Sequence, residues 1–355
     1  MTSSVHKLLH RDIVVIGGSS GSVAALRTLV SGLPPRFPAA VFVAVHTSPT
    51  NPGALGGILD RSGPLAAALA TDRQPIRKGR IFVAPPDHHL VLEKERVRVV
   101  LGPKENGFRP AVDPLFNSAA CEFGKRVIGI ILTGSLDDGS QGLVRIKKEG
   151  GLAVVQDPEE AFSQGMPLNA IRAVEVDHVV PVRKIAPLLI RLVREPISAR
   201  EAAGAGAGWR GNGGEGGACP EVVRGPSGFT CPECGGALWE RGKKDEERYR
   251  CRVGHTYSPK SLLLAQDDRV EAALWSALRA LQESAAYLRR MAQRAREMGL
   301  NEIAAGYERK ANEADRQGGS ILAPLRIARM GKRGEEAGRR VRKAPAKRRR
   351  RSIRM

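Results

Sequence analysis

The sequence predicts an α/β fold in which helices cover both faces of a doubly wound, mainly parallel sheet. Three observations lead to this expectation. Short β-branched runs alternate with helical patterns throughout residues 12–195. Runs such as AVFVAV and VIGIIL are apolar at every position, as strands buried between two helical layers are. Helical patterns also separate most of the strand runs, which favours parallel neighbours.

Each element of this region follows from one run of the sequence. Helices are predicted over 22–32, 54–60, 112–123, 139–149 and 183–194. Strands are predicted over 12–17, 40–45, 80–84, 89–92, 97–101, 127–132, 152–155 and 177–180. The fourth and fifth strands are joined by EKER, so we expect an antiparallel hairpin inserted at the edge of the sheet.

Shifts of composition divide the chain into segments. They are the sheet region at 10–196, a Gly-rich linker at 197–227, a Cys/His module at 228–260, a helical hairpin at 266–326 and a disordered basic tail at 331–355. The hairpin is predicted from two amphipathic stripes: Leu274, Leu278, Leu281, Ala285, Leu288, Ala292 and Ala295, then Ile303, Tyr307, Ala311 and Ala314. Packing within the chain and self-association both fit these stripes, and packing within the chain is the commoner use.

Half of the net positive charge lies at the C-terminal end. The 355-residue chain carries a net charge of +20, and residues 332–355 contain 12 Lys or Arg against 2 Glu. A solvated tail is the ordinary explanation, and weak, non-specific attraction to nucleic acid or anionic lipid is the functional one. The sequence contains no apolar stretch of membrane-spanning length and no secretory signal, so a cytoplasmic protein is expected.

The first predicted strand runs through glycines and serines into a helix, in the stretch IVVIGGSSGSVAAL. Such a turn either cradles a phosphate or presents a nucleophile. A dinucleotide fingerprint needs glycines at i, i+2 and i+5, and neither Gly17 nor Gly18 begins that spacing. The run from Gly17 to Gly21 instead matches G-x-S-x-G, which favours Ser19 as a nucleophile at the end of the strand. A purely structural turn is the alternative for this motif alone.

A nucleophilic serine needs a base and a group that orients the base. His46 follows the strand AVFVAV, and Asp137 and Asp138 follow VIGIIL. Because the carboxyl ends of parallel strands meet at one edge, we expect Ser19, His46 and one of the two aspartates at the same rim. Taken singly, the histidine fits a surface loop and the aspartates fit a turn with a helix N-cap. The chain order Ser, His, Asp differs from the Ser, Asp, His order of α/β-hydrolases.

Six motifs in succession make this region resemble the catalytic domain of the chemotaxis protein-glutamate methylesterases, the CheB type. They are VVIGGSSGSVAALRTL, VFVAVHTSP, GRIFVAPPDHHLVLE, RPAVDPLFNSAA, GIILTGSLDDGSQGL and GMPLNAIRA. The resemblance covers about residues 10–195 and implies that Ser19 is the nucleophile, His46 the general base and Asp138 the orienting acid. It also implies a stand-alone form, because the family's N-terminal receiver domain has no counterpart before the first catalytic strand.

The activity implied by the resemblance is hydrolysis of γ-glutamyl methyl esters on the cytoplasmic domains of methyl-accepting receptors. The reaction would pass through an acyl-enzyme, with glutamine deamidation as a further activity and no cofactor for catalysis. The receptors are the expected partners, together with separate regulatory or methyltransferase proteins. The alternative is a non-catalytic signalling or nucleic-acid-associated docking protein that acts through the Cys/His module and the basic tail.

Three residues are expected at the substrate or the oxyanion: Ser20, Ser135 and Arg109. Ser20 follows the nucleophile, and Ser135 stands where the family has a methionine beside the catalytic site. Arg109 belongs to the motif RPAVD, which also contains Asp113. The two residues either serve the site or form a structural ion pair.

Further charged residues are expected near the same rim. His88 and His89 come from the motif PPDHHL. Asp137 adds a second carboxylate beside Asp138, so we expect it to shift the pKa values of its neighbours or to raise the basicity of His46.

The Cys/His module has the spacing of a metal site. Cys231-x2-Cys234 and Cys251-x3-His255 give C-x2-C-x16-C-x3-H, which is typical of a zinc ribbon, with free thiols as the alternative. Four protein ligands fill a tetrahedral Zn²⁺, so the predicted ion is structural rather than catalytic. We expect the extension to dock a partner. Two cysteines outside the pattern are expected to be ordinary thiols: Cys121 and Cys219.

Overall fold

The computed structural model describes residues 9–197, 223–242 and 247–341. Most of the expected linker, Cys219 and the end of the basic tail from residue 342 lie outside the described residues. The chain divides into two units, Met1–Ala265 and Gln266–Met355. The sheet region and the Cys/His module belong to the first unit, and most of the helical hairpin belongs to the second.

A parallel sheet of seven strands forms the centre of the first unit, as the sequence predicts. Its strands are β1 Ile13–Gly18, β2 Ala40–Val45, β3 Ala66–Leu69, β4 Arg80–Val83, β7 Val127–Ile131, β8 Leu152–Gln156 and β9 His178–Val180. They lie in the order β3-β4-β2-β1-β7-β8-β9, and neighbouring strands run parallel. The order reverses at β1, so the carboxyl ends of β2, β1 and β7 meet where ligands of such sheets usually bind.

Helices cover both faces of this sheet. They are α1 Ser22–Ser31, α2 Leu55–Asp60, α3 Val112–Phe123, α4 Ser140–Lys148, α5 Gly165–Ala173 and α6 Val182–Leu192. In β1, Val14 and Ile16 belong to the core that includes α1 and α6, whereas Ile13 and Val15 belong to the core that includes α3, α4 and α5. Burial on both sides explains why the strand runs are apolar at every position.

The structure corrects the predicted elements in two respects. The hairpin of β5 His89–Glu93 and β6 Arg96–Val100 is not inserted at the edge of the large sheet but forms an antiparallel two-stranded sheet of its own. Strand β3 and helix α5 were not predicted. The sequence of β3, AAAL, has no β-branched residue, and α5 begins with glycine and contains a proline. Their neighbours in the fold determine both elements.

The Cys/His module forms a second sheet in the first unit. Its antiparallel strands are β10 Val223–Thr230, β11 Ala237–Arg241, β12 Arg248–Cys251 and β13 Thr256–Tyr257. Five of its six core residues lie between Cys231 and Tyr257, and Leu262 is the sixth. This core is small for an independently stable domain.

The two long helices are α7 Pro259–Glu297 and α8 Asn301–Val341. Within the second unit, ion pairs join Arg289 to Asp315 and Arg296 to Glu308, so the helices form the expected hairpin. The stripe on α7 is buried or partly buried as predicted. Among the α8 positions the structure corrects one, because Ile303 is exposed and Ala304 is buried in its place.

The second helix also extends into the segment expected to be disordered. Residues 331–341 are helical although three of these eleven residues are glycine, so their composition alone does not explain the helix. Across the described parts of the chain, none of the helices combines the length and the apolar character that a membrane span requires.

Candidate active site

Ser19 lies in the sharp turn between β1 and α1. The N–H and the hydroxyl of Ser22 both donate to the Ser19 carbonyl oxygen, at 3.0 and 2.6 Å. The turn depends on Gly21, which has a φ of +82°. A Cβ on Gly21 would lie 2.4 Å from the Cβ of Phe162, so both the backbone angle and the space require glycine here. The glycines of this motif therefore shape the turn, and they leave Ser19 half-buried at the end of the strand.

His46 reaches Ser19 because β1 and β2 are neighbours in parallel register. Gly18 stands opposite Val45, and the N–H of His46 donates to the Gly18 carbonyl at 3.2 Å. The imidazole Nδ1 then lies 3.1 Å from the Ser19 Oγ, and Nε2 lies 2.6 Å from Oδ2 of Asp138. The three side chains form one continuous hydrogen-bonded chain.

Asp138 is buried in a ring of donors. Its Oδ2 accepts the N–H of Val112 at 2.7 Å in addition to the imidazole. Its Oδ1 accepts from the Asn106 side chain at 3.0 Å and from the N–H groups of Gly139 at 3.0 Å and Asp113 at 3.3 Å. Val112 and Asp113 begin α3, so the positive end of that helix faces the carboxylate.

These donors determine the protonation of the site. Burial alone would raise the pKa of Asp138, but the hydrogen bonds from His46, Val112 and Asn106 bring it down to about 2. An ionised carboxylate can only accept, so the proton of the neutral imidazole lies on Nε2. The lone pair of Nδ1 is then free to accept the hydroxyl of Ser19.

The ring of Phe108 fixes the plane of the imidazole. The two rings are stacked, with centroids 3.7 Å apart and planes 5° from parallel. Both residues line a pocket of about 420 Å³, together with Ser19, Thr47, Ser48, Pro49, Lys104, Gly107 and Arg109. The predicted nucleophile and base therefore open onto a pocket that can hold a substrate side chain.

Of the three residues expected at the substrate or the oxyanion, Arg109 lines this pocket. Ser20 and Ser135 lie beside Ser19 but do not line it. Ser20 is exposed, and the Ser135 hydroxyl lies 3.1 Å from that of Ser163. A Cβ built on Gly134 would lie 2.9 Å from the Cβ of Ser19, so the backbone before Ser135 passes directly against the nucleophile. The N–H of Ser19 itself is already bonded to the Thr133 carbonyl at 3.0 Å.

Arg109 and Asp113 do not pair with each other, which corrects that alternative. Arg109 pairs with Asp87 at 2.8 Å and donates to the Gly102 carbonyl at 2.6 Å. Asp113 is buried and pairs with Arg248 of the Cys/His module. The physical reason is that the Asp113 carboxylate is already occupied: Oδ1 accepts the N–H of Gly142 at 2.7 Å, and Oδ2 accepts from Arg248 and, at 3.2 Å, from Asn106.

Asp137 does not face His46. Its carboxylate accepts a hydrogen bond from Ser258 at 3.0 Å, and burial raises its pKa. Both histidines of PPDHHL bond to backbone carbonyls, His88 to Pro86 at 3.0 Å and His89 to Pro103 at 2.9 Å. The structure therefore places these residues around the pocket rather than in it.

The Cys/His cluster brings together four side chains that could hold a metal ion. The Sγ atoms of Cys231 and Cys251 lie 3.6 and 3.5 Å from the Nδ1 of His255, and the Sγ atoms of Cys234 and Cys251 are 3.7 Å apart. All four candidate ligand atoms lie within 4.8 Å of one another. The edges of a tetrahedral zinc site are about 3.8 Å between sulfurs and about 3.6 Å between sulfur and nitrogen. The donor set therefore fits Zn²⁺.

One cysteine outside this cluster differs from expectation. Cys121 is disulfide-bonded rather than an ordinary thiol. The spacing pattern assigns only the cysteines that share a local motif, so it carries no information about this residue.

Three residues of the site were not singled out from the sequence: Asn106, Phe108 and Lys104. They belong to the loop 102–110, which crosses the pocket between β6 and α3. The motif RPAVD marks the end of this loop, but the loop itself has no periodicity that reveals which side chains turn inward. Their contacts are long-range and appear only in the folded chain.

Comparison with known proteins agrees with this geometry. The family described as CheB methylesterase matches residues 14–189. A relative from Leptospira interrogans, provisionally named as a protein-glutamate methylesterase/protein-glutamine glutaminase, is 37% identical over 193 residues, which make up 54% of this chain and 100% of the relative. A protein-glutamate methylesterase/protein-glutamine glutaminase of Anaeromyxobacter dehalogenans is 39% identical over 52% of this chain and 54% of its own length. The crystal structure of the Thermotoga maritima CheB methylesterase catalytic domain is similar with a TM-score of 0.51 and 34% identity, covering 52% of this chain and 100% of that one.

Proposed function

This chain belongs to the CheB methylesterase family, and from that premise we propose that it hydrolyses γ-glutamyl methyl esters on methyl-accepting receptors. The observation that supports this proposal most strongly is the hydrogen-bonded chain from Ser19 through His46 to Asp138. Glutamine deamidation is proposed as a second reaction of the same site, since an amide carbonyl can form the same acyl-enzyme.

The proposed reaction uses the two nitrogens of His46 differently. The Oγ of Ser19 attacks the ester carbonyl while Nδ1 takes its proton, and Asp138 stabilises the imidazolium through Nε2. His46 then returns the proton to the departing methoxy group, which leaves as methanol. Water, deprotonated by the same Nδ1, attacks the acyl-enzyme and releases the glutamate side chain and Ser19. The chemistry needs no cofactor.

We propose backbone N–H groups as the donors to the oxyanion. Since the N–H of Ser19 is occupied by Thr133, the N–H groups of Ser20 and Ser135 are the proposed donors. Backbone donors do not depend on the side chain, so serine in place of methionine at position 135 leaves the donor present. Arg109 is proposed to shape the wall of the substrate pocket through its bonds to Asp87 and Gly102.

Ser19→Ala tests the proposal directly. We expect kcat for methanol release from a methylated receptor fragment to fall by at least about 10⁴, because the acyl-enzyme cannot form. Ser31→Ala is the matched control, since Ser31 is an exposed serine at the other end of α1. A kcat of Ser19→Ala within about tenfold of the wild-type value would contradict the proposed nucleophile. The alternative of a non-catalytic docking protein has no support in the described residues.

The Cys/His cluster is proposed to hold a structural Zn²⁺. Its support is the fit of the four ligand atoms to tetrahedral edges and the small core around them. Elemental analysis of the purified chain should give about one zinc per chain, and Cys234→Ser should lower it. A zinc content that does not respond to Cys234→Ser would contradict the assigned ligand set.

A further inference from the structure

We propose that Asn106 is a positioning residue for Asp138, and that the Cys/His module holds Asn106 in place, so that metal binding to the module sets the reactivity of Ser19. This inference rests on the proposed function for its readout. It concerns a connection that neither the family match nor the relatives' names describe.

The side chain of Asn106 is buried and hydrogen-bonded at both ends. Its Nδ2 donates to Oδ1 of Asp138 at 3.0 Å and to Oδ2 of Asp113 at 3.2 Å. Its Oδ1 accepts from the N–H of Ser258 and from the hydroxyl of Ser261, both at 3.0 Å. Carboxylates only accept and a backbone N–H only donates, so the amide has one possible orientation.

The two ends of Asn106 belong to different parts of the chain. The nitrogen faces the sheet region, whereas the oxygen is held by Ser258, at the end of the module, and by Ser261, in the first turn of α7. Ser258 and Ser261 also cap α7 reciprocally: the N–H of Ser258 donates to the Ser261 hydroxyl at 2.8 Å, and the N–H of Ser261 donates to the Ser258 hydroxyl at 3.1 Å. The donors that orient Asn106 are therefore themselves fixed by the start of a helix.

The backbone ties the same loop to the module. The N–H of Asn106 donates to the Thr256 carbonyl at 2.7 Å, and the N–H of Thr256 donates to the Lys104 carbonyl at 3.3 Å. Thr256 directly follows His255, the last candidate metal ligand. The two donors to the Asn106 oxygen, Ser258 and Ser261, lie three and six residues after that ligand, so a displacement of His255 would reach them through a short stretch of backbone.

Two ion pairs also join the module to the residues around the site. Arg248, three residues before the ligand Cys251, pairs with the buried Asp113. Lys104 of the pocket pairs at 2.7 Å with Glu233, which lies between Cys231 and Cys234. The segment with Cys231 and Cys234 is thus joined to the loop 102–110, and the strand that ends at Cys251 is joined to α3.

The metal is the element of this arrangement that can be removed. The module has a small core. Small modules of this kind need their ion to fold, because the free energy of metal binding supplies the free energy of folding. Without the ion, the oxygen of Asn106 would lose its two fixed donors and the amide would be free to rotate. Asp138 would then lose its one side-chain amide donor, and the loop that carries Phe108 would lose its contacts with the module, so both contacts that orient His46 would be held less firmly.

The test uses the full chain and a fluorophosphonate probe, which reacts with an activated serine without any receptor substrate. The rate of Ser19 labelling is measured for wild type with zinc bound, after removal of zinc by a chelator, and after Zn²⁺ is added back. We expect labelling to fall roughly ten- to a hundredfold on removal, the size typical of lost outer-shell orienting partners, and to recover on addition. Hydrogen exchange of the peptide 102–110 should rise on removal, while that of β1 stays low.

Two substitutions test the relay itself, meaning the chain of hydrogen bonds from Ser258 and Ser261 through Asn106 to Asp138. Asn106→Ala and Ser261→Ala should lower labelling while zinc content stays at the wild-type level. In a receptor-fragment assay they should lower kcat with little change in KM, because Asn106 does not line the pocket. Ser227→Ala is the matched control: its hydroxyl bonds to the Leu238 carbonyl at 2.8 Å inside the module, away from Asn106.

The outcomes separate the two proposals. Unchanged exchange of 102–110 without zinc, or unchanged labelling in Ser261→Ala, would overturn the relay and leave the proposed function standing. Absence of Ser19 labelling in the zinc-bound wild type would overturn the proposed nucleophile, and the exchange experiment would still decide whether the module holds the loop. If Asn106→Ala does not fold, Ser261→Ala and zinc removal decide the question.

Discussion

At the scale of single residues, one hydrogen bond determines which nitrogen of His46 faces Ser19. Oδ2 of Asp138 is hydrogen-bonded to Nε2 of His46 at 2.6 Å, so Nδ1 is the nitrogen that lies 3.1 Å from the Ser19 Oγ. The assignment depends on Asp138 being ionised, and the donors around it secure that state. Asp138 is therefore expected to matter through the tautomer of His46 as well as through its charge.

Asp138→Asn should lower kcat by about 10⁴, the loss expected when a triad histidine is held in the wrong tautomer. An asparagine amide that donates to Nε2 would force the imidazole proton onto Nδ1, where Ser19 cannot donate. The comparison variant is Asp137→Asn, which changes the neighbouring carboxylate that bonds to Ser258. Steady-state methanol release from a receptor fragment measures both, and equal losses in the two variants would contradict the assignment.

The lowered pKa of Asp138 also makes a contribution to stability that depends on pH. Its folded pKa of about 2 lies below the ordinary value of 3.8, so the contribution is complete above pH 4 and is lost as the pH falls toward 2. The difference between the folded and the ordinary pKa of Asp138 contributes about 2 kcal/mol to the free energy of unfolding. We expect the gap in unfolding free energy between wild type and Asp138→Asn, measured with urea, to shrink between pH 6 and pH 3. A gap that stays constant over that range would contradict the lowered pKa.

At the scale of elements, the turn between β1 and α1 determines the position of Ser19, the proposed nucleophile. Its backbone goes through a left-handed conformation at Gly21, and the Phe162 side chain fills the space beside it. The same close fit holds at Gly17, where a Cβ would lie 2.2 Å from a methyl group of Val112. The glycines of the motif thus bring α3, which caps Asp138, against the strand that carries Ser19.

Gly21→Ala should destabilise the fold by at least 1–2 kcal/mol, since a left-handed alanine is strained and its Cβ meets Phe162. It should also lower kcat, because the turn must shift. Gly57→Ala is the control: Gly57 lies within α2, and only the flexible end of Arg61 approaches its Cβ position. Denaturant unfolding and methanol release measure the two effects, and equal stability of both variants would contradict the argument.

At the scale of the whole molecule, the Cys/His module is part of the first unit rather than an appendage to it. Its Arg248 and its neighbour Ser258 contact Asp113 and Asp137, and its last strand bridges to Glu105. Partner docking by this module stays a prediction, as do separate regulatory proteins and attraction of nucleic acid by the tail. The described contacts show that part of its surface is used within the chain.

Arg248→Ala should cost roughly 3–5 kcal/mol, because it leaves the buried Asp113 without its ion pair. Arg250→Ala, on the same strand β12, should cost less than about 1 kcal/mol, the usual range for a partly exposed arginine. Free energies of unfolding from urea titration give both values. If Arg248→Ala is no more costly than Arg250→Ala, the pair does not hold the module.

Much of the architecture could be predicted from local patterns. Strands buried on both faces are apolar throughout, and each element needs only its own residues to be recognised. Ser19, His46 and Asp138 could be placed at one rim because parallel strands bring their carboxyl ends together, and the family resemblance selected Asp138 over Asp137. The exceptions, β3 and α5, have compositions that do not mark an element and are held by their neighbours.

The sheet, the residues that meet at its rim and the four candidate metal ligands can therefore be predicted from the sequence, since each of them depends on period or short spacing. Three features appear only in the folded chain: the nitrogen of His46 that faces Ser19, the place of Phe108 and Asn106 in the site, and the pairing of Asp113 with Arg248 rather than with Arg109. Arg248 and Asp113 are 135 residues apart in the chain. No local pattern encodes such a contact, because it depends on how separately formed elements pack together.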